Sequence, residues 1–200
     1  MSQTLPQNRL EFTDEDFDKF LPDRLRLLSS SQWTPVSVVR EVAKILDSHS
    51  INEIYDLGSG VGKFSILISI LRQTRVIGVE QRVHLLQISE NLKDTFVAKQ
   101  SKFIAGDFLD LDFSKIKVAY CFNPLYETMS TKYNIDDTKQ KSATLFLNKL
   151  IHLKSKFLEM EMGSIIITYH GFGGIMPKQF QRLNRIQLES GEIEVWKKSA

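Results

Sequence analysis

IYDLGSGVGKF, residues 54–64, sets three glycines within five positions behind an apolar run and closes on Gly-Lys. Such a loop, placed at a helix N-terminus, offers backbone N–H groups to the anionic part of a ligand. A nucleoside-triphosphate loop needs a glycine five positions before the Gly-Lys pair and a hydroxyl straight after it, the latter to hold magnesium. Leu57 and Phe64 occupy those places. A dinucleotide loop needs glycine at its sixth position, where helix and strand touch. Counted from Gly58 that position is Lys63, and the third glycine, Gly62, comes one residue early. Asp56 would also face a pyrophosphate with like charge, whereas an amino group beside it would be paired. The loop therefore reads as a holder for the small carboxylate end of a ligand without phosphate.

Outward from the loop, apolar runs of strand length alternate with segments long enough for a helix. The runs are EIYDLG, RVIGVE, KFIAG, KVAYCF and SIIITYH. This alternation predicts a parallel α/β sheet. The chain closes on LNRIQLESGEIEVWKK, two alternating segments about Ser190-Gly191, which predicts an antiparallel hairpin as strands six and seven. Residues 141–161 read as a long helix, with Phe146, Leu150, Leu153 and Phe157 inward and Lys149, His152 and Lys156 on a solvated face. Upstream of the first strand, Thr34 is placed to cap a helix with Pro35 at its first position and Val38, Val39, Val42, Ile45 and Leu46 turned to the sheet. Further upstream, Thr13 is placed to cap DEDFDKFL, with Phe12 and Phe17 as a hydrophobic staple. The expected organisation is an N-terminal helical extension, residues 1–33, and one domain, residues 34–200.

Composition narrows the function. The 200 residues carry 26 basic and 24 acidic side chains, a net charge of +2, so no bulk pull toward nucleic acid or membrane is expected. A single cysteine, Cys121, excludes an internal disulfide and reads as a packed thiol. With His49, His84, His152 and His170 it shows no zinc-ligand spacing, so no metal is expected. The N-terminus lacks a signal-peptide core and FSILISIL is too short to span a bilayer, so a cytoplasmic protein without membrane attachment is expected.

Three further motifs follow the loop in order. VIGVE ends on Glu80, at the strand end where an acid takes both hydroxyls of a ribose, and Gln81 follows it. GDF places Asp107 and Phe108 just past the third strand. The fourth run ends in Asn123-Pro124-Leu125-Tyr126. Together with Asp56, Gly58, Ser59, Gly60 and Gly62, these resemble the motifs of class I S-adenosylmethionine (SAM) dependent methyltransferases, from Thr34 onward. The resemblance implies a Rossmann-like, mostly parallel seven-stranded sheet with helices on both faces. It also implies SAM as cofactor, held by Thr34, Asp56, Gly58, Ser59, Gly60, Gly62, Glu80, Gln81, Asp107, Phe108 and Asn123. Asp107 would read the adenine amino group and Phe108 would cover its ring.

The fourth motif is one residue from the Asn-Pro-Pro-Tyr signature of amino methyltransferases, so the resemblance gives Asn123, Pro124 and Tyr126 the catalytic role. Methyl transfer is a displacement that asks for alignment and exclusion of water. A lysine acceptor must also lose a proton, at a cost of about 4 to 5 kcal/mol at pH 7. An apolar channel lowers that cost, while the Asn123 side-chain oxygen and the Pro124 carbonyl orient the amine and Tyr126 lies against the cation.

DLGSGVG, GVE and GDF look like the non-SET lysine methyltransferases of the disruptor-of-telomeric-silencing type, and QWTPVSVVREV is similar to lysine methyltransferases that act on an ATP synthase subunit. In the first of these families the Thr34 position meets the methionyl end of SAM. The Asn-Pro-Leu-Tyr sequence is instead closer to enzymes that methylate nitrogen on adenine, guanine or glutamine. The expected function is N-methylation of a protein amine or amide. Methylation of an RNA or DNA base and a non-catalytic SAM-fold binding module stay open. Lys178, Arg182 and Arg185 make a modest basic cluster, and HGFGGIMPK after the fifth strand is expected to set Phe172 and His170 at the substrate mouth.

Overall fold

The structure is a computed structural model describing residues 12–129, 134–136 and 141–199. Residues 1–11 of the expected extension lie outside the described residues. The chain divides into two compact units between Asp107 and Phe108.

The first unit contains helices α1 (Asp14–Asp18), α2 (Asp23–Arg26), α3 (Ser29–Gln32) and α4 (Val36–Ser48), followed by β1 (Glu53–Leu57), α5 (Lys63–Arg72), β2 (Arg75–Glu80), α6 (Val83–Thr95) and β3 (Ser101–Ala105). The second contains β4 (Val118–Phe122), α7 (Ala143–Glu159), β5 (Ile165–Tyr169), β6 (Phe180–Leu188) and β7 (Gly191–Lys198). Seven strands make one sheet in the order β3-β2-β1-β4-β5-β7-β6. Pairs β1–β2, β2–β3 and β4–β5 are parallel, whereas β7 runs antiparallel to both β5 and β6. The mostly parallel sheet ending in an antiparallel hairpin is thus the observed fold.

Burial explains the strand sequences. β2 is buried at every residue after Arg75 and β5 throughout, as strands covered on both faces must be. β6, at the sheet edge, is buried only at Phe180 and carries polar residues along its length. α4 turns Val38, Val39, Val42, Ile45 and Leu46 inward as its spacing predicts. α5 is buried from Lys63 through Ser69, so its serines need internal partners: Ser65 Oγ donates to Asp56, and Ser69 Oγ donates to the Ile66 carbonyl and meets Ser101 Oγ. Cys121 is buried, as a packed thiol should be.

Several local expectations change. Thr34 does not cap α4: the cap position is Pro35, which makes no side-chain bond, and the Val36 N–H donates to Asp14 Oδ1 at 2.9 Å instead. Thr13 does cap α1, in a reciprocal box with Asp16. The two staple phenylalanines both meet Phe96 at the end of α6, Phe17 stacked at 5.2 Å and Phe12 edge-on at 6.2 Å. Residues 12–33 therefore share the core of the first unit. In the second unit α7 is capped by Ser142, and Lys156 reaches the Leu111 carbonyl and Glu159 rather than open solvent. No described helix is long and apolar enough to cross a membrane.

Candidate functional site

The glycine loop leaves β1 at Leu57 and enters α5 at Lys63. Its three glycines all have positive φ, +85° at Gly58, +56° at Gly60 and +79° at Gly62. At Gly60 there is also no room for a side chain, because a Cβ would lie 2.6 Å from the Trp33 ring. The Gly58 and Ser59 N–H groups both donate to the Val79 carbonyl, which ties the loop to β2. Ser59 Oγ is buried without a hydrogen-bond partner.

Glu80 ends β2 and is 4% exposed. Its Oε2 accepts the Gly60 N–H at 3.0 Å and its Oε1 accepts the Arg82 N–H at 2.8 Å, with the Arg82 guanidinium 3.8 Å away. The acid and the loop, twenty residues apart in sequence, are thus hydrogen-bonded. Gln81 is exposed, Asp107 is half-buried, and Thr34 is buried beside Trp33 in sequence.

Asp56 is 3% exposed and accepts the Ser65 hydroxyl at 2.6 Å. Burial pushes its carboxyl up to about 7; the Ser65 bond opposes this, and the Glu80 charge adds to it. Asp56 therefore sits near half-protonation at neutral pH, and its observed bond runs into α5.

Residues that the sequence reading left aside complete this part of the molecule. Lys63, 1% exposed, pairs with Asp14 at 2.7 Å and Asp18 at 2.9 Å, meets Ser29 Oγ at 3.2 Å, and lies over the Phe17 ring. Trp33 covers Gly60 and donates its indole N–H to the Leu25 carbonyl. The four-residue spacing of Asp14 and Asp18, which puts both on one helix face, was the available signal. A cavity of about 500 Å³ is lined among others by Asp14, Glu15, Asp18, Arg26 and Trp33.

In the second unit Asn123 follows β4 with φ +37°, and its N–H is shared between the Tyr169 and Gly171 carbonyls, 3.2 Å from each. The Tyr126 N–H closes a turn on the Asn123 carbonyl at 3.0 Å. Within that turn Leu125 is buried, Asn123 and Pro124 are half-buried, and Tyr126 is 37% exposed. The position that departs from the Asn-Pro-Pro-Tyr pattern is thus a core contact.

His170 is exposed and bonded to the Ser190 carbonyl. Phe172 is not at a mouth but buried against Phe157, with ring centroids 5.2 Å apart. Phe108 is buried and opens a 3₁₀ turn. Of the basic cluster, Arg182 pairs with Glu194 and Arg185 with Glu192 across the hairpin. Among the described residues no group of three His, Cys, Asp or Glu could hold a metal.

No protein-family model matches the sequence, and no curated protein matches it. Solved structures match the fold. An RNA methyltransferase from Salinibacter ruber in complex with S-adenosyl-L-homocysteine gives a TM-score of 0.57 at 20% identity, over 83% of this chain and 93% of that one. A Klebsiella pneumoniae protein assigned as an O-methyltransferase gives 0.60 at 12% identity, over 92% and 90%. A Listeria monocytogenes protein assigned as a class I S-adenosylmethionine-dependent methyltransferase gives 0.58 at 14% identity, over 96% and 71%. At these identities the likeness is one of architecture, and the architecture is that of the class I methyltransferases.

Proposed function

We propose that the protein is a SAM-dependent N-methyltransferase acting on a protein amine or amide. The observation that carries the cofactor is the Glu80 carboxylate bonded to the glycine loop through the Gly60 N–H and to the Arg82 N–H. A carboxylate only accepts hydrogen bonds, which suits it to a pair of vicinal hydroxyls as donors. The buried, unpartnered Ser59 hydroxyl supplies a donor in the same loop. Thr34, Gly58, Gly62, Gln81, Asp107 and Phe108 complete the proposed binding set, and Asp56 lies at the base of the loop. When bound, SAM supplies an electrophilic methyl group.

The acceptor role goes to the turn after β4. Asn123 is held by two carbonyls through its N–H, so its side chain starts from a fixed backbone. Its amide oxygen and the Pro124 carbonyl accept from an amino group and turn its lone pair, and Tyr126 presents a ring to the acceptor. Ring exposure favours a second reading, a nucleic-acid base stacked on Tyr126, and the Salinibacter protein is an RNA methyltransferase. The pairing of Arg182 and Arg185 with glutamates weighs against it.

Calorimetric titration with S-adenosylhomocysteine tests the cofactor: the wild type binds and Glu80→Ala binds much more weakly. Absence of wild-type binding refutes the proposal. Tritiated-methyl labelling of a lysate, split into protein, nucleic acid and small molecules, tests the acceptor. Label in protein supports the first reading; label in nucleic acid alone replaces it with the second.

A further inference from the structure

One oxygen atom of the N-terminal segment joins two elements assigned to the cofactor. Asp14 Oδ1 accepts the Val36 N–H at 2.9 Å, two residues past Thr34, and also the Lys63 ammonium at 2.7 Å, the residue straight after Gly62. A carboxylate oxygen has two lone pairs, and both are directed here at groups from different segments. Because the two bonds share this atom, holding Asp14 in place ties both segments to one point. A third contact runs between the same segments, since Trp33, next to Thr34, lies on Gly60.

We infer that Asp14 is a positioning residue of the cofactor site, fixing the Thr34 turn against the glycine loop through its Oδ1. This rests on the proposed SAM reading of that site. Lys63 serves as the loop's anchor: it is buried, and Asp18 and Ser29 hold it together with Asp14. Asp18 remains as its counter-charge when Asp14 is removed, so the loss of Asp14 loosens the junction without stranding a buried cation. Residues 12–33 then complete the cofactor site rather than append to it. Loosening a site's supporting contacts lowers affinity even where no ligand contact is touched.

The test is titration of S-adenosylhomocysteine into the wild type, Asp14→Ala and Asp14→Asn at a temperature where circular dichroism shows each fully folded. Asp14→Ala should bind at least about tenfold more weakly, while Asp14→Asn, which keeps the oxygen, stays within about threefold of the wild type. Amide exchange in the free protein should quicken at residues 34–38 and 58–64 in Asp14→Ala, and stay unchanged in β5. A purely stabilising Asp14 would lower the melting temperature and leave the affinity of the folded protein alone. If the wild type binds and Asp14→Ala binds equally well, the inference is overturned. If Asp14→Ala does not fold, Val36→Pro takes its place. It deletes the N–H donor at a position that accepts proline, since residue 35 already has ψ 147°, and unchanged affinity there overturns the inference too. A wild type that binds no S-adenosylhomocysteine refutes the cofactor reading itself, a different result from equal binding by both forms.

Discussion

Replacing Asp56 by asparagine should change how stability depends on pH. The Asp56 carboxyl is raised from 3.8 to about 7 by burial. Each factor of ten in protonation is worth about 1.36 kcal/mol, so the ionised form costs the folded state about 4 kcal/mol relative to the unfolded chain. With the folded value above the unfolded one, this group's contribution is complete below about pH 4 and is lost as pH rises through about 7. About 2.5 kcal/mol of that loss falls between pH 5 and pH 8. Asparagine has the same shape and can still accept the Ser65 hydroxyl, but it does not titrate. Urea unfolding of both proteins at pH 5, 6, 7 and 8 isolates the effect, because every other titrating group cancels in the difference. Relative to the wild type, Asp56→Asn should gain about 2.5 kcal/mol across that range. Parallel stability curves would refute the reasoning and mean that Asp56 ionises at an ordinary carboxylate value. A second consequence follows if the methionyl ammonium lies beside Asp56. Its charge favours the ionised carboxylate, so binding of S-adenosylhomocysteine at pH 6.5 should release a proton, read from the dependence of calorimetric enthalpy on the buffer.

Gly60→Ala should cost about 2 kcal/mol and weaken S-adenosylhomocysteine binding, since the methyl meets Trp33 at 2.6 Å and the backbone is left-handed; unchanged denaturation and titration curves would count against the described packing. Phe96→Ala removes the ring that Phe12, Phe17 and Phe20 share and should destabilise by about 3 to 5 kcal/mol in urea unfolding. Protease cleavage within residues 12–33 should accelerate with it. Gly191→Ala places a Cβ 2.3 Å from the His170 ring at φ +143° and should cost about 1 to 3 kcal/mol, with His170 displaced from the Ser190 carbonyl and its proton resonances shifted.

The sheet was legible because β2, β4 and β5 are near-continuous buried apolar runs, and the hairpin because Ser190-Gly191 interrupts two alternating segments. Strand ends therefore fell where motifs could be placed, and the Glu80–Gly60 bond gives the ordering of loop and acid a physical form. What the sequence hid was long-range and polar. Asp14 and Asp18 stand at the two ends of the short helix that Thr13 caps, and nothing local says that Asp14 would accept the first N–H of α4 while both neutralise Lys63. The same distance effect misplaced the cap of α4, because Thr34 fits the local preference and Asp14, twenty-two residues away from Val36, supplies the bond. Phe172 carries no periodic signal in its glycine-rich surroundings, so its burial against Phe157 could not be read. Arg182 and Arg185 were visible as charges, but their glutamate partners depend on the hairpin register.

The order β5-β7-β6 bears on how the protein is made. β7 is the last of these strands to be synthesised, yet it lies between the other two and is the strand that β6 pairs with. Until Lys198 has left the ribosome, β5 lacks its antiparallel neighbour and β6 has no partner at all. Domains generally fold as units during synthesis, the N-terminal parts first. Here the second unit must wait, exposing the side of β5 and the whole of β6 to other nascent chains in the interval. Polar residues limit what that exposure can nucleate: Gln181, Arg182, Asn184, Arg185 and Gln187 interrupt Phe180, Leu183, Ile186 and Leu188, so no two apolar side chains of β6 are adjacent in sequence.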